Sequence, residues 1–244
     1  MRITVYMSSE KPITLPINYN YIMQAVVLRW LGDESYQKFV HDTGYIYKKR
    51  NYKLYTFSRL EGIFKLDKVK KSITFPQGAK LTIASVDEKF LNYLVNNIIC
   101  KDKFKILNNE VYIEKIDCSA DHPTSPLYIR TKSPIVIYST FQTQTSKKTY
   151  YYNPYEKDFS EMLRQNLIRK YKALHDMEPE DSNFTIEIAD GTCPKESVLI
   201  YKGTVIRGWN GKFLLKGSDA LLTLAYDAGL GSKNSQGFGC IETV

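Results

Sequence analysis

Of the three histidines in the chain, one has neighbours suited to chemistry. His41 stands in SYQKFVHDTGYIYKKRNYK, ahead of a glycine and a basic, tyrosine-rich stretch that runs through Tyr45, Tyr47, Lys48 and Lys49 to Lys53. An imidazole whose ordinary pKa is about 6.5 can take or give a proton near working pH, and a lysine or arginine can steady a developing anion. His122 precedes a proline in a turn-rich break. His175 falls near the end of an expected helix, where a dipole interaction or plain surface exposure accounts for it.

The second unusual stretch is Gly229-Leu230-Gly231-Ser232-Lys233-Asn234-Ser235-Gln236-Gly237-Phe238-Gly239, four glycines between an expected helix and an expected strand. Phosphate-binding nucleotide loops run the other way, from strand into helix, so that the anion meets exposed N–H groups at a helix N-terminus. No Gly-Lys-Ser/Thr follows, and the glycines do not fall as G-x-G-x-x-G. A C-cap at Gly229 followed by a turn is the plain reading. The composition suits more, because glycines let a backbone approach a phosphate chain closely while Lys233, Asn234, Ser235 and Gln236 add donors without bulk. Contacts to RNA backbone are therefore expected from Gly229, Gly231, Ser232, Lys233, Asn234, Ser235, Gln236 and Gly237. The overlapping QGFGCIET half-resembles an RNP1 strand but lacks the leading base and later aromatics, so base stacking there is not expected.

These residues need a frame. The chain has 244 residues with 43% hydrophobic content, enough for one large or two small cores, and two is the expectation. Arg2 to Met7 alternates as a half-buried strand does, Asn18 to Leu31 has helical spacing, Lys53 to Phe57 is a compact β-rich run, and Ile73 with Leu81 to Val86 predicts a hairpin. Asp87 is placed to cap a helix through Phe90, Leu94 and Ile98, with Val111 to Ile116 as closing strand. After the Pro- and Ser-rich break SADHPTSP the pattern repeats: strands at Tyr128 to Tyr138 and around Tyr150, a long helix with Phe159, Leu163, Leu167, Tyr171 and Leu174 on one face, and strands at Phe184 to Ile188 and Val198 to Ile206. A last helix is capped by Ser218 or Asp219. The fold class is α+β, two tandem ferredoxin-like (RRM-like) domains at 1–122 and 123–244 with a C-terminal glycine-rich loop.

A net charge of +8 favours a polyanionic partner. Cys100, Cys118, Cys193 and Cys240 lie far apart without zinc-ligand spacing and read as packed free thiols, and no metal or cofactor is expected. No signal peptide or membrane span is visible, so a cytoplasmic protein is expected. Lys147, Lys148 and Tyr150 to Tyr152 form another basic-aromatic cluster, for which strand packing is an equal explanation.

The ending DALLTLAYDAGLGSKNSQGFGCIE resembles the C-terminal signature of the CRISPR-associated repeat-RNA processing endoribonucleases, members of the repeat-associated RNA-binding superfamily. Leu15-Pro16 before a helix start with Tyr and Asn, the run Lys53 to Ser58 (KLYTFS), and Ser133-Pro134-Ile135 fall in that family's order, so the resemblance spans both halves. It implies a basic cleft, binding of CRISPR repeat RNA, metal-independent cleavage by a 2′-hydroxyl that leaves a 5′-hydroxyl downstream, and hand-over of guide RNA to an interference complex whose subunits would be partners. The protein would be a monomer or homodimer. It further implies that His41 is the catalytic histidine and Lys53 the catalytic lysine, with Lys48 and Lys49 as nearby alternatives. A tyrosine that some members carry on the first helix is Leu28 here; Tyr45 or Tyr47 could replace it from the loop, or could instead pack against the domain, the favoured reading, or stack on a base. The rival reading is a non-catalytic RNA-binding subunit, which would keep the glycine segment and need no acid or base.

Overall fold

A computed structural model describes residues 1–143 and 146–244. The first half runs β1 (Arg2–Ser8), α1 (Asn20–Trp30), β2 (Tyr55–Phe57), β3 (Ala79–Ser85), α2 (Glu88–Ile99) and β4 (Asn109–Ser119). The second half repeats the order with β5 (Leu127–Thr131), α3 (Lys157–His175), β6 (Phe184–Ile188), β7 (Lys212–Gly217), α4 (Asp219–Ala228) and β8 (Ile241–Thr243). Their antiparallel sheets share an equivalent order, β2-β3-β1-β4, extended beyond β4 by Lys103–Ile106, and β6-β7-β5-β8, so both halves are ferredoxin-like.

Local chemistry sets several boundaries. The Asp87 carboxylate accepts the Lys89 N–H at 2.9 Å and starts α2, whose Phe90, Leu91, Leu94 and Ile98 are buried on the first sheet. Ser218 Oγ accepts the Leu221 N–H at 3.4 Å and starts α4. One apolar core gathers buried residues between Ile3 and Val111, and a second gathers residues between Leu127 and Ile241. Leu54 is the exception, since it comes from the first half and packs in the second core. Its φ of 47° turns the chain between Lys53 and Tyr55 and sends the side chain across the boundary.

Several expectations are corrected. Strand β2 begins at Tyr55, because left-handed Leu54 interrupts the run expected from Lys53. The hairpin expected between Ile73 and Leu81 does not form. Ser72–Phe75 joins Ile13–Pro16 and Lys65–Asp67 in a separate small sheet, while β3 pairs with β1 and β2. The stretch from Tyr128 to Tyr138 is two elements, β5 ending at Thr131 and a separate hairpin of Tyr138–Gln142 with Lys147–Tyr151. Cys100, Cys118 and Cys193 are exposed at a helix end, a strand face and a loop, and Cys240 alone is packed.

The two halves meet along the glycine-rich segment. Asn20 Nδ2 donates to the carbonyls of Gln236 (2.9 Å) and Gly237 (3.1 Å), Thr56 Oγ1 to Phe238 O (2.9 Å), and the Tyr55 hydroxyl to Ser235 O (3.3 Å). Within the segment, Asn234 Nδ2 spans Leu230 O and Phe238 O, both at 3.0 Å, and closes a tight loop. Gly239 has φ 72° with its N–H on Pro134 O, and a Cβ there would lie 2.0 Å from Leu230 O. Gly239→Ala is therefore expected to destabilise the protein by at least about 2 kcal/mol in chemical denaturation, because neither backbone can yield.

Candidate active site

His41 lies on a five-residue π-helical turn, Phe39–Thr43, that follows a short helix over Glu34–Lys38. Gly44 ends the turn at φ 61°, its N–H on Phe39 O at 2.7 Å, and a Cβ there would lie 2.4 Å from Tyr52 O and 3.0 Å from Lys53 Cδ. A side chain at this position would push the His41 turn off the Tyr52–Lys53 backbone. Asn51 Nδ2 fastens the turn from the other side through Asp42 O at 3.2 Å.

His41 Nδ1 is 2.7 Å from Asp42 Oδ1. The hydrogen bond from His41 is the main cause holding the Asp42 carboxyl below its ordinary range, with smaller help from Lys38 and Lys53. A carboxylate partner fixes the proton on Nδ1 and leaves Nε2 free to exchange one. The imidazole remains open to solvent, 59% exposed. Lys53 differs: its Nζ is buried and has no hydrogen-bond partner among the described residues. Burial pushes that amine down, and Asp42 pulls it partly back up.

Lys53 lines a cleft of about 830 Å³ between the two halves, together with Arg50, Arg169, Lys170 and Lys233 and with no carboxylate. Gly231, Ser232, Asn234, Ser235 and Gln236 complete one wall. Gly229 and Gly237 are not among the residues lining that wall. Added Cβ atoms there would meet Thr56 and Asn234, or Phe57 and Asn20, so close packing between the halves is their use. The Asn234 amide hydrogens are likewise spent on the segment's own carbonyls. The backbone N–H groups of Lys233, Asn234 and Ser235 make no hydrogen bond among the described residues, and Lys233 Nζ lies 5.3 Å over the Tyr138 ring.

Tyr47, Lys48 and Lys49 lie elsewhere. They belong to a hairpin of Tyr45–Tyr47 with Arg50–Tyr52 and line a neighbouring cleft of about 650 Å³ with Gln165 and Lys172 of α3. Arg50, Tyr52 and Arg169 border both clefts. The Tyr47 ring carries the Lys48 and Lys172 amines each at 5.4 Å. Tyr45 is structural, its hydroxyl donating to Asp87 Oδ2 at 2.8 Å beside that of Tyr36. Leu28 is buried in the first core, so no polar group replaces the helix tyrosine from that position.

Sequence reasoning missed Lys170 and Asn166. Both lie on the stripe Phe159, Leu163, Asn166, Lys170, whose spacing of four, three and four was a visible signal of polar side chains turned inward. Lys170 is 3% exposed, and its Nζ donates to Gly229 O at 2.6 Å, tying α3 to the start of the glycine segment. Burial lowers its pKa from 10.5 to about 7. The unfolded chain therefore binds more protons between those values, so stability should rise with pH across about 7 to 10.5. Lys170→Met should flatten that rise in denaturation curves taken at a series of pH values.

Among the described residues no group of three or more His, Cys, Asp or Glu side chains gathers, and no helix is long and apolar enough to cross a membrane. The family model "CRISPR associated protein Cas6, C-terminal" matches residues 115–243. CRISPR-associated endoribonuclease Cas6 1 of Methanocaldococcus jannaschii is 27% identical over 246 residues, with 100% of this chain and 93% of the relative covered. The solved structure of a Cas6-related gene product of Pyrococcus furiosus superposes with TM-score 0.87 at 24% identity, covering 100% and 98% of the two chains. A RAMP protein described as binding different RNA substrates superposes with TM-score 0.84 at 24% identity, covering 100% and 99%. With a matching family model over more than half its length, and the same pair of ferredoxin-like halves as these structures, the chain belongs to the Cas6 family of CRISPR-associated proteins.

Proposed function

We propose that this protein is an endoribonuclease that cuts CRISPR precursor RNA within its repeats by attack of a 2′-hydroxyl on the adjacent phosphorus. The observation that carries this reading is a cleft lined by Arg50, Lys53, Arg169, Lys170 and Lys233 without a carboxylate, beside which the buried Lys53 amine has no hydrogen-bond partner among the described residues. A buried, unpaired amine is costly, and an anionic phosphate relieves the cost. The relatives named as Cas6 endoribonucleases supply the substrate class.

In this reading residues 1–122 carry the chemistry and residues 123–244 close the cleft over the RNA. The 2′-oxygen bonds to phosphorus as its proton leaves, and the bond from phosphorus to the 5′-oxygen breaks. The departing oxygen takes a proton, giving a cyclic phosphate upstream and a 5′-hydroxyl downstream. His41, its Nδ1 held by Asp42, serves one of the two proton transfers through Nε2. Lys53 steadies the crowded anion, and Tyr47 between its two lysines assists from the adjoining cleft. Ser232, Lys233 and Ser235, with the free N–H groups of their segment, hold the RNA backbone, and Lys48 and Lys49 extend the cationic path. Neither a metal nor a cofactor enters this scheme.

One observation favours the rival of a non-catalytic binding subunit: the exposed ring of His41 lies outside the cleft lining. Catalytic contacts often tighten only when substrate binds, so cleavage itself decides. With repeat RNA in EDTA, His41→Ala should slow single-turnover cutting by about 10² to 10⁴-fold with nearly unchanged affinity. A 2′-deoxy substitution at the cut site should block cutting, and normal cutting of that substrate would end the internal-nucleophile scheme.

A further inference from the structure

The segment 63–71 of the first half presents an ordered surface that neither cleft uses. Ile63, Phe64, Leu66 and Val69 are 67%, 55%, 48% and 93% exposed, four large apolar side chains within seven residues. Phe64 rests on Phe75 at 6.1 Å between ring centres, and the rest of its surface is open. Lys65, Lys68, Lys70 and Lys71 alternate with them and are exposed as well. The one carboxylate in the run, Asp67, is spent on the turn, where its Oδ1 accepts the N–H groups of Val69 (3.0 Å) and Lys70 (2.9 Å). The backbone also offers an open edge. Lys65–Asp67 pairs with Ser72–Phe75 on one side and is the outer strand of the small sheet on the other.

An apolar patch on a fixed turn, beside an unpaired strand edge, is a template for an added strand. We propose that residues 63–71 form a protein-docking ribbon that takes an extended, acidic and apolar polypeptide segment along the outer edge of Lys65–Asp67. Charge selects the occupant. A second copy meeting this surface by two-fold symmetry would set the four lysines against themselves, which costs affinity instead of adding it. RNA would satisfy the lysines but leaves Ile63, Leu66 and Val69 unused, because aliphatic side chains give bases no stacking face. An acidic strand satisfies the lysines, the apolar side chains and the open edge together. The surface is separate from the RNA cleft, so it holds or fails independently of the proposed cleavage.

The probe is a short synthetic peptide alternating glutamate with isoleucine, added to the full-length protein and followed by fluorescence anisotropy and amide hydrogen exchange. Binding should slow exchange within residues 63–71 and weaken as salt rises. It should weaken by about tenfold or more in Leu66→Glu/Val69→Glu and, as an independent variant on exposed lysines, in Lys68→Glu/Lys70→Glu. Methylating alternate backbone amides of the peptide should abolish binding while leaving its charge intact. Equal binding of a glutamine-for-glutamate peptide, or undiminished binding by folded samples of either variant, would overturn the proposal. So would a fall in repeat-RNA affinity in both variants, which would make this an RNA surface, or a concentration-dependent dimer that Leu66→Glu/Val69→Glu dissolves.

Discussion

Four consecutive backbone carbonyls, those of Ser235, Gln236, Gly237 and Phe238, are held by side chains of the other half of the molecule. Gly237 and Phe238 are buried and Ser235 and Gln236 half-buried, so a carbonyl that loses its donor there is left unsatisfied at a cost of about 1–3 kcal/mol, except Phe238 O, which Asn234 also holds. Asn20, Tyr55 and Thr56 supply those donors from α1 and β2. The rest of the architecture follows from this seam. With its carbonyls committed to the first half, the segment leaves the N–H groups of Lys233, Asn234 and Ser235 beside the cleft without a partner among the described residues. The paired halves enclose a space into which cations from both project.

The seam also explains why the resemblance to the family was carried by particular runs of residues. The helix start contributes Asn20, KLYTFS contributes Tyr55 and Thr56, and Ser133 links Phe57 O to the Cys240 N–H through its hydroxyl. Arg59, whose guanidinium lies 3.8 Å over the Tyr19 ring, donates to Asn20 and fixes the amide that grips the segment. Scattered in sequence, these runs form a single interface in space. What they encode is first a way of docking two domains, and the groups lining the cleft are the remainder of the same loop.

Much of the fold was legible because its signals are local. Asp87 and Ser218 announce their helices by capping, α3 announces itself by a face of apolar side chains, and the repeated order of elements gives the tandem halves. What was not legible depends on partners distant in sequence. Ile73 looks like a hairpin partner for Leu81, yet its strand pairs with Ile13–Pro16, a choice made by tertiary packing. Leu54 reads as part of a strand, and its left-handed turn follows only from a core in the other half. His41 and Lys53 could be singled out from the sequence as candidates, but the division between two clefts could not. Gly229 and Gly237 illustrate the limit of composition: glycine permits close approach, and only the fold reveals whether the approaching chain is RNA or protein.

Leu54 carries a temporal consequence. Its left-handed backbone costs about 1 kcal/mol or more and is sustained by burial in the second core. A growing chain that has finished only its first half lacks the core in which Leu54 packs. The core that buries Leu54 is built from residues between Leu127 and Ile241, so the packing that sustains this turn forms only after the second half has been made.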